Sequence, residues 1–379
     1  MEEMKVEKSM HKQRLYSIDL LKIFSFVLIF FFHCNMHLGV HFLALTPFIS
    51  QGAIVMDLFF MLSGFVCCYT YRPKEQMDFC GIADFYMKRF ASIYPLYLCI
   101  VIIYLMIGTE SITNKMITLP VELTLLQSWF SGMFSFSHNG GTWFLSCLAT
   151  CHAAYPLIQI LIKRMSKVVS LICLIILYLL CASIPFVVWE LGIPDAYANP
   201  ILRLMQFVAG ALLTVFIKRN TRAQLVKCAV FLVCAFLLVY EVTCLTEIGY
   251  GVNTYVTYGY FTFVLFCLMI LSLVNLEVSF DRENIKKYVW IRNKVIPYVK
   301  KISEYAYSVF MAQFFIWPLT KKLVQTAPAF FIEHRNWKVL ICATLLCVVI
   351  AVVFREIVEK KCGKIIISAY NKRREMGKI

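Results

Sequence analysis

Charge is scarce in this 379-residue sequence: Asp, Glu, Lys and Arg make up 16% of it, and 22 acidic residues face 37 basic ones. Hydrophobic residues supply 60%, with a mean hydropathy of +0.74. A soluble domain of that composition would expose large apolar patches, so a soluble enzyme is excluded. No CxxC pair occurs, and the 16 cysteines fall mostly inside apolar runs. That removes a secreted disulfide framework and leaves Cys67, Cys68, Cys147 and Cys151 as small packing residues. No HExxH pattern is present and no internal repeat is evident. A cleavable leader is not expected either, because the first apolar run is long and lacks a small-residue cleavage site. The net charge of +15 would suit nucleic acid, but the basic residues flank apolar runs. The positive-inside rule accounts for them, and no nucleic-acid partner is expected.

What is present is a series of apolar runs, each of a length to cross a bilayer as a helix. They read as ten spans: Ile18–Leu38, Phe48–Tyr69, Ser92–Gly108, Trp143–Ile162, Val168–Val188, Ile201–Ile217, Val226–Leu245, Tyr255–Val274, Tyr305–Val324 and Lys338–Ile357. Two further amphipathic pieces, Phe79–Phe90 and Leu119–Trp129, are expected at the interface. The expected fold is therefore an all-α, polytopic membrane helical bundle of about ten transmembrane helices. Basic residues alternate between loops: Lys5, Lys8, Lys12 and Arg14, then Arg72, Lys74, Lys88 and Arg89, then Lys163, Arg164 and Lys167, then Lys218, Arg219, Arg222 and Lys227. Seven more fill 282–301, and the tail carries Lys360, Lys361, Lys364, Lys372, Arg373, Arg374 and Lys378. The alternation places both termini in the cytoplasm, in a multi-pass protein of the cell (cytoplasmic) membrane. Lys321, Lys322, Arg335 and Lys338 run against it. The organisation expected is a cytoplasmic segment 1–17, a transmembrane domain 18–358 and a basic tail 359–379 on the anionic inner leaflet.

Ionisable groups inside apolar helices are costly and point to function. The first run carries Asp19 and Lys22 at one end and His33 toward the other. At a rise of 1.5 Å per residue, His33 lies ~20 Å from Asp19, most of the way across a ~30 Å hydrocarbon core. Lys22 and His33 are 11 residues apart, which at ~100° per residue is three turns plus about 20°, so both share one stripe. One face thus offers an anion binder near one surface and a titratable base near the other. Asp19, three residues before Lys22, would orient it. His33, His37 and His41 share a face by spacing, but nearby acidic partners other than Asp57 are missing, so no metal is expected. His37 and His41 read as polar flank. In Gln51–Phe65, Asp57 needs a partner and Ser63-Gly64 allows close helix approach. Arg89 offers a fork for phosphate, or snorkels. Trp143, after the Gly140-Gly141 turn, reads as an interfacial anchor or a ring that holds a sugar.

These stretches, in this order, resemble the integral-membrane acyltransferase-3 family, whose members O-acetylate surface polysaccharides, peptidoglycan, Nod factors and some small molecules. Tyr16–His33 is similar to its first-helix pattern of aspartate, basic residue and histidine. Gln51–Phe65 resembles its Gly-x-x-x-V-x-x-F-F-x-L-S-G-F segment, Lys88–Pro95 its basic segment, Trp143–Ser146 its WFLS helix, and Ile302–Gln313 its late serine-tyrosine helix. The resemblance covers nearly the whole chain. It implies transfer of an acyl group, usually acetyl, from acyl-CoA to a hydroxyl, with His33 as catalytic base. Asp19, Lys22, Asp57, Ser63, Arg72, Arg89, Trp143 and Gln313 would bind donor or acceptor. The implied partners are acetyl-CoA as donor substrate, a glycan or glycolipid acceptor and membrane lipid, with no bound cofactor. Three positions depart from the family pattern: Lys22 replaces an arginine, Leu148 a glutamate found in many members, and Gln313 a histidine. The rival readings are a secondary transporter or flippase of a sugar or lipid-linked substrate, and a subunit that only recruits other enzymes.

Overall fold

A computed structural model describes residues 14–71, 79–107, 111–130, 133, 140–191, 196–217, 223–247, 254–283, 290 and 292–376. It is helical throughout, with no strand among the described residues. Among the described residues, eight helices are long and apolar enough to cross a membrane. The ten expected spans fall on helical segments, but Phe48–Tyr69 is broken at Ser50-Gln51 and its helical stretch runs from Gly52 to Thr70, while Gly108 lies outside the described residues. The two outside the eight are Pro200–Phe216, which is shorter, and Ala306–Thr326, which carries Gln313, Lys321 and Lys322.

Helix α1, Tyr16–Leu38, has no side-chain cap at Leu15. Instead the Glu277 carboxylate accepts from the Tyr16 and Ser17 backbone N–H groups at 2.9 and 2.8 Å. An anion at a helix N-terminus satisfies orphan donors and opposes the dipole. Gly39 ends α1 in the left-handed region (φ 65°), and its N–H closes on Asn35 O at 3.1 Å. His41 therefore leaves the face that His33 and His37 share. It pairs through its backbone with the Asn336 side chain.

Helix α2, Val55–Thr70, packs backbone to backbone against a later helix. On α2 the stripe is Asp57, Met61, Gly64, Cys68. It meets Arg203, Phe207, Gly210 and Thr214, so the two helices run in parallel. A Cβ on Gly64 would lie 1.8 Å from Phe207 O, and one on Gly210 would lie 1.8 Å from Met61 O. Ser63-Gly64 thus does allow close approach, with Gly210 answering it from the other helix.

Helix α3, Phe79–Ile107, joins the expected interfacial piece and the expected third span into one 29-residue helix. Pro95 lies inside it and leaves the Ala91 carbonyl without its helical donor. Gly363 comes up against that carbonyl; a Cβ there would be 2.9 Å from it. Past α4 (Ile112–Leu123), α5 spans Trp143–Arg164 and α6 Lys167–Leu191. Helices α7 (Pro200–Leu213, the partner of α2), α8 (Gln224–Glu247) and α9 (Thr254–Glu283) follow. Then come α10 (Ile296–Ser303), α11 (Ala306–Thr326) and α12 (Arg335–Val353).

The last element corrects the expected boundary at Ile357. From α12 the chain passes through a six-residue π-helical turn, Phe354–Glu359, into α13, Lys360–Glu375, as one continuous helix. The basic tail is therefore a helix docked along α3. Tyr370 donates to Asp84 at 2.9 Å, and Arg374 donates to both Asp84 oxygens at 2.9 Å.

Candidate active site

A cavity of about 270 Å³ lies between α1, α2, α3, α5, α10, α11 and the π turn. Its polar wall holds Lys22, Arg89, His152, Glu304, Arg355 and Glu359, and Ser63 and Cys67 line it from α2. Phe59, Phe144, Phe310 and Leu148 supply part of its apolar lining.

The carboxylates of this site are already engaged. Arg355 donates to Glu359 at 2.7 Å, Ser308 donates to the same carboxylate, and Glu304 lies 4.0 Å from Arg355. Asp19 is held by Arg14 at 2.6 and 3.1 Å and by the Ser303 hydroxyl at 2.6 Å. It therefore does not orient Lys22: an arginine fork and a hydroxyl take both its oxygens. Lys22 and Arg89 have no carboxylate partner among the described residues. Arg89 donates to Cys67 Sγ at 3.3 Å and rests on the rings of Tyr71 and Phe85, and its Nε has no partner. Two cations facing one small cavity with no carboxylate in ion-pair contact repel each other, and an anion placed between them relieves both.

His33 does not line this cavity. It lies ~16 Å further along α1 at the helical rise. Its Nδ1 and the Gln313 Oε1 are 2.6 Å apart, and Gln313 is fully buried. With the amide oxygen as acceptor, Nδ1 carries the proton and Nε2 keeps the lone pair. Trp317 stands edge-on to His33 at 5.8 Å and stacks on His37 at 5.6 Å. On α11 the cavity residues Tyr307 and Phe310 are followed, one turn on, by Gln313 and then Trp317. The α1–α11 contact thus runs from the cavity to the imidazole.

Asp57 and Trp143 belong elsewhere. Asp57 accepts from Arg203, which is 1% exposed. The guanidinium also donates to Tyr197 O at 2.9 and 2.7 Å and to Gln206 at 2.8 Å. The Trp143 ring lies 5.3 Å from Arg203 and is buried, so it is neither an interfacial anchor nor an open sugar platform. A desolvated guanidinium gains from aromatic faces, and this one has three. Arg72 lies outside the described residues.

Of the expected site residues, then, Lys22, Ser63 and Arg89 share the cavity, His33 and Gln313 share a hydrogen bond, and Asp19, Asp57 and Trp143 serve other contacts. Sequence reasoning missed His152, Arg203, Arg355 and Glu359. Arg203 had a readable signal, since an arginine inside an apolar run needs a partner and Asp57 needed one too.

Many apolar helices, with few and clustered buried ionisable groups among the described residues, define a multi-pass membrane protein. Residues 15–356 match the family described as "Acyltransferase domain", and the chain belongs to this acyltransferase-3 family; it is an acyltransferase. It is 24% identical over 301 residues to the acyltransferase MdmB of Streptomyces mycarofaciens, covering 72% of this chain and 70% of that one. It is also 27% identical over 192 residues to an uncharacterized protein of Haemophilus influenzae, covering 45% and 78% respectively. No solved structure matches it.

Proposed function

We propose that this acyltransferase moves an acyl group, acetyl foremost, from acyl-CoA to a hydroxyl of a cell-surface glycan or glycolipid at the cytoplasmic membrane. The observation that carries the reading is the shared axis of α1. Two cations without carboxylate partners line a cavity at one end, and an imidazole hydrogen-bonded to Gln313 stands at the other. The phosphates of the donor sit at Lys22 and Arg89, and the extended pantetheine arm spans the ~16 Å to His33. The Phe310 ring, packed on Phe144 at 5.1 Å, lies on this route and turns aside when the arm enters. His33 Nε2 then accepts the proton of the acceptor hydroxyl. The oxygen attacks the thioester carbonyl, the C–O bond forms, and the C–S bond breaks with its electron pair on sulfur. The proton passes from His33 to the CoA thiolate.

His33→Ala in purified, reconstituted protein is expected to lower acetyl transfer by at least ~100-fold, the scale of a lost general base, with CoA binding retained. Radiolabelled acetyl-CoA and a glycolipid extract provide the assay. Wild-type rates in the variant would remove His33 from the mechanism.

A further inference from the structure

His152 is the buried group of the cavity for which neither the fold nor the mechanism above has a use. It lies on α5, is 7% exposed, and lines the cavity. Its ring stands edge-on to Phe85 at 6.0 Å and to Phe207 at 6.2 Å. Neither ring nitrogen has a hydrogen-bond partner among the described residues. The residue is buried, yet its ring nitrogens are not among the fully buried polar atoms that lack a partner, so they keep some open surface at the cavity that the residue lines. Packing does not require an imidazole there, because a phenyl ring would meet Phe85 and Phe207 equally well. Phe85 also carries the Arg89 guanidinium, 5.4 Å from its centroid. One aromatic ring therefore packs against both the histidine and the cation that has no carboxylate partner.

We infer that His152 is a ligand-contacting residue that donates a ring N–H to the phosphate oxygen held by Lys22 and Arg89. The inference rests on the acyl-CoA reading and adds a neutral donor, from a third helix, to the two cations. It also explains why the polar nitrogens are left open: the missing partner is the substrate.

The test uses the full-length protein purified in detergent, with CoA as the probe and thermal shift plus calorimetry as readouts. His152→Phe is expected to melt at or above the wild-type temperature while CoA affinity falls about ten-fold, the worth of one hydrogen bond to a charged group. His152→Gln, which keeps an N–H at similar reach, is expected to restore affinity to within about three-fold of wild type. If His152→Phe does not fold, His152→Leu replaces it under the same criterion. Unchanged CoA affinity in the apolar variant would make His152 a packing residue and overturn the inference. So would a glutamine variant as weak as the phenylalanine one. If wild-type protein itself shows no CoA binding, the acyl-CoA reading falls instead.

Discussion

Gln313 occupies the place where the family pattern has a histidine, and it cannot exchange a proton. The structure gives it a different task. Its Oε1 meets His33 Nδ1 at 2.6 Å, and its own Nε2 is buried without a partner. Leaving a buried donor unmet costs about 1–3 kcal/mol, so the amide is held there for the acceptor it offers the imidazole. Gln313→Leu is expected to lower kcat by ~10- to 100-fold with KM for acyl-CoA unchanged, because the ring loses its tautomer lock but stays in place. Gln313→Glu keeps an acceptor and should retain more activity than Gln313→Leu. Steady-state kinetics on both variants decide it, and a changed KM alone would place Gln313 in donor binding. Lys22, His33 and Arg89 were legible in the sequence because charge or imidazole within an apolar helix stands out against its surroundings. Their partners were not. The sequence offered Asp19 to Lys22 by spacing, whereas Arg14 and Ser303, one of them 284 positions distant, claim that carboxylate.

At the scale of elements, helix existence followed from apolar length, and the places where boundaries moved have local causes. Gly39 cut His41 from α1. Pro95 did not cut α3, because the tail covers the carbonyl it frees. The π turn could not be read at all: no residue type encodes it. Yet it sets Arg355 and Glu359 on the cavity wall, where such turns often mark function. Helix pairing was half legible. Ser63-Gly64 announced a close crossing without naming Gly210 as its counterpart. That crossing carries a stability prediction. In Gly64→Val or Gly210→Val the new side chain meets backbone carbonyl rather than a movable side chain, so the helices must separate. A loss of at least ~1–3 kcal/mol is expected, as for overpacking elsewhere, seen as a lower melting temperature and a poorer yield of folded protein. Separation would also pull Arg203 from Asp57, and breaking a buried pair adds ~3–5 kcal/mol. Melting unchanged from wild type in either variant would mean that this crossing is not tight.

For the whole molecule, the directions of packed helices bear on which side the cavity faces. Helices α1 and α11 run in parallel, since Asp19 meets Ser303 and His33 meets Gln313. The pair α2 and α7 is parallel as well, whereas α13 runs antiparallel to α3, with Arg374 at Asp84 and Gly363 at Ala91. One continuous alternation of ten crossings satisfies all three relations. It gathers Lys22, Arg89, Arg355 and the basic α13 at one end of the bundle, and Gly39, His41 and Asn336 at the other. Positive charge near span ends favours the cytoplasmic side, and anionic lipid there adds about 1 kcal/mol per nearby Lys or Arg. A green fluorescent protein fused after Ile379 is therefore expected to fluoresce, and alkaline phosphatase fused at the same point to be inactive. In the same cells, a cysteine placed at His41 should react with a membrane-impermeant maleimide added from outside. The opposite pattern would turn the cation cavity away from the cytoplasmic CoA pool. Lys22 and Arg89 would then need a different anion, even with every contact between α1 and α11 intact.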